Sequence, residues 1–260
     1  MSGPSFAIAL RLRIVSACLS AVGMVAVILI TGALFPAVGD SIGKLDLPEG
    51  VSDLLGGADY STISGWMRSE IGAVYGPLVI AAAAITAAAG SLAGEEEDGI
   101  LELVCGHPVE RGRLVIAKLA AVCALVAIVA LGTWVGLVAG VAVAGGGVAV
   151  GNLAAVAVHL ALFGVLSGAL ALAIAAATGR KAIAIGGAAA FAVLGFLVNG
   201  FAPLVGGLDW LKYLSSFYYY AGHDPIADGV DLGDLAILGV ASIALAIFAV
   251  IAFRRRDLRS

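Results

Sequence analysis

The stretch "LVIAKLAAVCALVAIVALGTWVGLVA" (114–139) decides the fold: it runs for 26 residues with Lys118 as its only charge. A helix needs roughly 20 apolar residues to cross a hydrocarbon core of about 30 Å, so this segment reads as a membrane span. Five more segments have the same character, at 14–35, 71–93, 152–177, 182–203 and 235–253. The chain therefore reads as an all-α integral membrane protein with six transmembrane helices, forming a single transmembrane domain over residues 1–260. The first span is too long for a signal-peptide core and lacks a small-residue cleavage site, so it reads as a retained anchor. The glycine cluster in "GVAVAGGGVAVG" (140–151) marks a tight connection between the third and fourth spans.

Composition points the same way. Of 260 residues, 62% are apolar and 12% charged, with a mean hydropathy of +1.10, whereas a soluble domain carries about 25% charged residues. A net charge of −4 excludes a basic nucleic-acid module. Cys18, Cys105 and Cys123 are too few and too scattered for a disulfide framework or a metal site.

The charges orient the bundle. With the N-terminus inside, Arg11, Arg13, Arg111, Arg113, Lys118, Arg180, Lys181, Arg254, Arg255, Arg256 and Arg259 are cytoplasmic, leaving only Lys44, Arg68 and Lys212 outside. Basic residues collect on the cytoplasmic side of membrane proteins, so both termini are expected there, in a multi-pass protein of the cell membrane. Acidic residues divide the other way, giving +4 inside and −8 outside.

The spans, as bounded here, contain no Asp, Glu or Arg, and Lys118 sits near enough to an end to snorkel. His159 is the remaining ionisable group and is expected to hydrogen-bond a neighbouring helix rather than relay protons, since no span offers it a carboxylate. No catalytic constellation is found: Ser167 in "GVLSG" is not a serine-protease elbow. A phosphate-binding loop needs Gly, four residues, then Gly-Lys-Ser/Thr. "GDSIGKL" (39–45) has three intervening residues and Leu45 after the lysine, so the chain itself is expected to bind no nucleotide. Gly132, Gly136 and Gly140 recur every four residues along the third span, a stripe that lets helices approach closely in lipid; compositional bias toward glycine is the competing explanation.

The cytoplasmic segment "GEEEDGILELVCGHPVERGR" (94–113) opens with Glu95, Glu96, Glu97 and Asp98, which suit a helix N-terminus. Ile100, Leu103, Val104 and His107 follow at helical spacing, predicting a short amphipathic helix in the membrane plane with its acidic end facing the cytosol. Gly106 ends it, Pro108 opens the next helix, and Arg111, Arg113 and Lys118 anchor that helix at the headgroups.

This segment resembles the hinge of the ABC-2 type permeases, the membrane subunits of certain ATP-binding-cassette transporters. The matching residues are Glu96, Gly99, Leu101, Glu102, Leu103, Pro108, Val109, Arg111 and Lys118, with departures at Ile100 and Glu110. "YLSSFYYYAGHDPIADG" (213–229), "TGRKA" (178–182) and "FRRRDL" (253–258) are similar to further family segments, so the resemblance covers nearly the whole chain. It implies a permease dimer, of identical or paralogous chains, working with two copies of a separate ATPase that binds ATP and Mg, no cofactor being held by this chain. It also implies that Glu95, Glu96, Glu97, Asp98, Gly99, Leu101, Glu102, Leu103, Pro108 and Arg111 couple to that ATPase. The apolar spans suit export of a hydrophobic or amphipathic compound, such as a drug or lipid. A structural or biogenesis protein and an ion-coupled carrier are the alternatives.

On the outer side, residues 36–70 form the largest loop, with a short helix expected between Pro48-Glu49 and Gly56-Gly57. Trp210, Tyr213, Phe217, Tyr218, Tyr219 and Tyr220 form an aromatic cluster suited to the membrane interface. The family resemblance implies that this cluster also forms a re-entrant exit gate.

Overall fold

The computed structural model describes residues 11, 13–42, 59–101, 110–205 and 207–256. Its helices, in chain order, are α1 (Ile14–Ile42), α2 (Ile63–Glu97), α3 (Arg111–Val143), α4 (Val150–Thr178), α5 (Lys181–Phe201), α6 (Ser216–Ala221), α7 (Pro225–Asp228) and α8 (Leu232–Arg255). Six of them, α1 to α5 and α8, are long and apolar enough to cross a membrane, and no strand occurs among the described residues. The protein is thus an all-α, multi-pass membrane protein. We call the end that holds Glu95, Lys118, Lys181 and Arg256 inner, as the basic residues orient it. The hinge residues Glu102, Leu103 and Pro108, and the outer-loop helix expected between Pro48 and Gly57, lie outside the described residues.

α4 is the central helix. Two-thirds of its apolar window is buried inside the protein, and it packs on α2, α3, α5 and α8. α5 and α8 bury only 17% of theirs, leaving residues such as Leu194, Val240 and Ile243 on the outside. In lipid that outward face costs nothing, because acyl chains are as apolar as the side chains.

α1 lies along α3 over a seam of small residues. Cβ atoms added at Gly132 and Gly136 would come within 2.7 Å of Ala21 and 2.9 Å of Ile28, and Gly32 meets the backbone of Gly140 directly. All three glycines of the stripe on α3 therefore face one helix, and their missing side chains set the interhelical distance.

Two spans run further than their apolar stretches predict. α2 begins at Ile63, not near 71, and includes Arg68 and Glu70. Thr62 caps it, accepting from the Gly65 N–H at 3.1 Å, and Asp224 neutralises Arg68 at 2.7 Å, so the charges do not stop the helix. α1 passes through Pro36. Proline leaves the carbonyl four residues back without its donor, and here the Trp66 indole donates to the adjacent Thr31 carbonyl at 3.0 Å.

Candidate functional site: an inner-end charge network and a lateral cleft

The acidic run sits at the opposite end of a helix from the one expected. Glu95–Glu97 form the last turn of α2, not the first turn of an amphipathic helix, and Glu95 and Glu96 are buried rather than turned to the cytosol. Carboxylates at a helix C-terminus oppose the helix dipole, so they need cations nearby. Lys118 of α3 donates to both Glu95 oxygens at 2.6 Å. It is buried at this pairing and does not snorkel, because a partner inside the protein replaces the headgroup water. Arg256, just beyond α8, pairs with Glu96, and the Lys181 backbone N–H at the start of α5 donates to Glu97 at 2.9 Å.

The network continues around α3. Arg111 donates to the Arg256 carbonyl at 2.8 Å, and Glu110 pairs with Arg113 at 3.1 Å and with Arg254. α2 takes a π turn over Gly90–Gly94, and the missing side chains of its two end glycines leave room for neighbouring cations. The Arg13 guanidinium lies over Gly90, and the Lys181 stem lies over Gly94. Burial lowers the proton affinity of Arg13, partly offset by the nearby Glu95 carboxylate. Four long helices (α2, α3, α5 and α8) are thus joined at one end by charge.

Beyond this turn, Asp98 and Gly99 are exposed, and Gly99 takes φ +71° to end α2. Ile100 is exposed and Leu101 fully buried. Replacing Arg256 with alanine removes a charged hydrogen-bond donor from Glu96 and is expected to cost about 1.5–3 kcal/mol. Thermal unfolding in detergent checks this, with Arg256→Lys expected to recover part of the loss.

The aromatic cluster divides in two. Trp210 and Tyr213 are exposed, Tyr218 and Tyr219 half-buried, and Phe217 and Tyr220 turn into the bundle. Phe217 packs edge-on against Phe163 at 4.8 Å and Phe196 at 5.5 Å, a little under half-way along α4. Ser215 donates to the Gly195 carbonyl at 2.7 Å, and Tyr220 donates to the Gly72 carbonyl at 2.7 Å. Burial pushes the Tyr220 phenol up, so it stays a neutral donor. These anchors draw the segment down between α2, α4 and α5.

Below it, α2 and α5 stand apart over an apolar cleft of about 260 Å³, lined by Pro77, Ala81, Phe163, Ala192, Phe196 and Phe217 among others. Its walls are almost wholly hydrocarbon. Sequence reasoning missed Phe163 and Phe196, because single phenylalanines inside apolar spans carry no positional signal. His159 also differs from expectation. Its Nδ1 lies 2.9 Å from the Ala155 carbonyl of its own helix, and its buried Nε2 has no partner.

A spanning bundle with an apolar side cleft and an inner charge network has the anatomy of a membrane transporter. The family model described as multidrug efflux system permease Rv1217c, C-terminal domain, matches residues 2–254. The chain belongs to this family. No curated protein matches it. This efflux-family permease has an apolar cleft open at its side and an inner end at which four helices are tied together. The permease places the two parts on shared elements, since α2 and α5 both line the cleft and both end in the network.

Proposed function

We propose that this permease is the membrane subunit of an ATP-binding-cassette exporter in the cytoplasmic membrane, moving hydrophobic or amphipathic compounds outward. Two permease chains, identical or paralogous, work with two separate ATPase subunits that bind ATP and Mg. The observation that carries this reading is the inner-end network. α2 ends in carboxylates tied to α3, α5 and α8, so a push on the segment after Glu97 is delivered to four helices together. An external ligand can drive access only by favouring one of two arrangements, and this joint supplies the element it would bias.

Among the described residues of this segment, the exposed Asp98 and Ile100, rather than the buried Glu95 and Glu96, offer a contact to an ATPase. Asp98→Lys with Ile100→Asp is expected to abolish a two-plus-two complex with the cognate ATPase, read by mass photometry, while leaving the permease folded. A complex that forms unchanged would remove this surface from the coupling. Ala192→Trp, which fills the cleft, is expected to abolish most dye efflux. Efflux equal to the parent's would place the path elsewhere.

An ion-coupled carrier is the second reading, favoured by the unpartnered, buried Nε2 of His159. It lacks a carboxylate in contact with that imidazole among the described residues.

A further inference from the structure

The outer end of α8 gathers three metal-ligating side chains that the transport reading leaves unused. Asp231 caps the helix, its Oδ1 accepting from the Asp234 N–H at 2.9 Å. His223, on the turn that follows α6, places Nδ1 2.7 Å from Oδ2 of Asp234. One donor atom from each of His223, Asp231 and Asp234 lies within 4.8 Å of the others. Zinc binds nitrogen and carboxylate oxygen at about 2.0–2.2 Å in near-tetrahedral geometry, which puts donor atoms roughly 3.3–3.5 Å apart. The His223–Asp234 contact at 2.7 Å is closer than that by about 0.6–0.8 Å, a shift open to the exposed His223 ring.

Charge is the second, independent observation. The other strongly buried carboxylates have fixed cations: Glu95 has Lys118 and Glu96 has Arg256, while the half-buried Asp224 has Arg68. Asp234 is only 5% exposed, yet among the described residues no lysine or arginine pairs with it or with Asp231. Its one partner of opposite sign among the described residues is the His223 imidazole, itself one of the three donors. Asp228 adds a third carboxylate near His223. His159, 1% exposed and with Nε2 unpartnered, lies within electrostatic reach of Asp231. A nearly buried carboxylate with a capping carboxylate beside it and no permanent cation is a setting that a divalent ion completes.

We propose that His223, Asp231 and Asp234 bind a divalent transition-metal ion of the zinc class, with water filling the remaining coordination. Nitrogen and carboxylate oxygen together suit zinc and its neighbours better than calcium or magnesium, which take oxygen alone. The ion ties the exit of the aromatic segment to the start of α8, two elements otherwise joined, among the described residues, by the His223–Asp234 contact and the packing of α6 on α8.

The test uses the full chain in lipid nanodiscs, stripped with chelator and titrated with Co²⁺ as a spectroscopic probe, then with Zn²⁺ in competition. The expected result is one saturable Co²⁺ per chain with visible d–d absorption, displaced by Zn²⁺. His223→Gln changes an exposed side chain and leaves the fold intact by circular dichroism, and Asp231→Asn keeps the helix cap. Each is expected to weaken Co²⁺ binding at least about tenfold, no less than the loss of an outer-shell partner causes elsewhere. Either of two results overturns the proposal: no saturable binding at one ion per chain, or binding by His223→Gln equal to the parent's, which puts the ion at another site such as Cys18 or Cys123.

Discussion

Lys118→Ala is expected to destabilise the permease by about 3–5 kcal/mol, the range for removing one partner of a buried ion pair. Lys118 and Glu95 have side chains only 4% and 10% exposed, and Nζ holds both carboxylate oxygens at 2.6 Å. Alanine leaves Glu95 buried and short of its cation, beside a helix C-terminus that disfavours a carboxylate. Equilibrium unfolding in mild detergent measures the loss. Glu95→Leu with Lys118→Met removes both charges at similar volume and is expected to recover most of the stability, since apolar replacements of buried pairs are often neutral or better. The same double variant separates architecture from coupling: folded and stable, it is still expected to lose transport, because α2 and α3 no longer share their tie. A double variant that transports like the parent would reduce the pair to a structural role.

The second large effect is expected at the α1–α3 seam. Gly32→Val drives a side chain into the backbone of Gly140, and no rotamer of a neighbour relieves a backbone clash. Overpacking costs about 1–3 kcal/mol where side chains can yield, and this contact belongs at or above the top of that range. Gly23→Ala on the same helix is the control, because nothing lies within 4 Å of its added Cβ. The control is expected to match or slightly exceed the parent in thermal midpoint, as alanine favours helix over glycine. Equal midpoints for the two variants would remove the seam from the account.

The six spans were legible because hydrophobic length alone specifies them, and each observed helix covers its expected segment almost entirely. The extensions of α2 were not legible. Arg68 and Glu95–Glu97 read as loop charges until their partners are known, and those partners stand far away in the chain: Asp224 lies 156 residues from Arg68, and Arg256 lies 160 from Glu96. The same distance hid the inner network, whose members were each visible as hinge acid, snorkelling lysine or charged ending, but not as one assembly. The aromatic segment was placed on the outer side from its composition. The contacts of Phe217 with Phe163 and Phe196, and of Tyr220 with Gly72, separate residues that dip into the bundle from those that stay at its rim. His159 was read toward a neighbouring helix, but the carbonyl one turn back on its own helix was nearer.

The energy source is the central claim. Inside-out membrane vesicles from cells expressing the permease with its cognate ATPase test it most directly, by following uptake of a fluorescent hydrophobic dye. The account predicts uptake that requires Mg-ATP, persists with a protonophore present, and stops when the phosphate-loop lysine of the ATPase is replaced. Uptake driven by a proton gradient without ATP, lost with His159→Ala and indifferent to the ATPase, would contradict it.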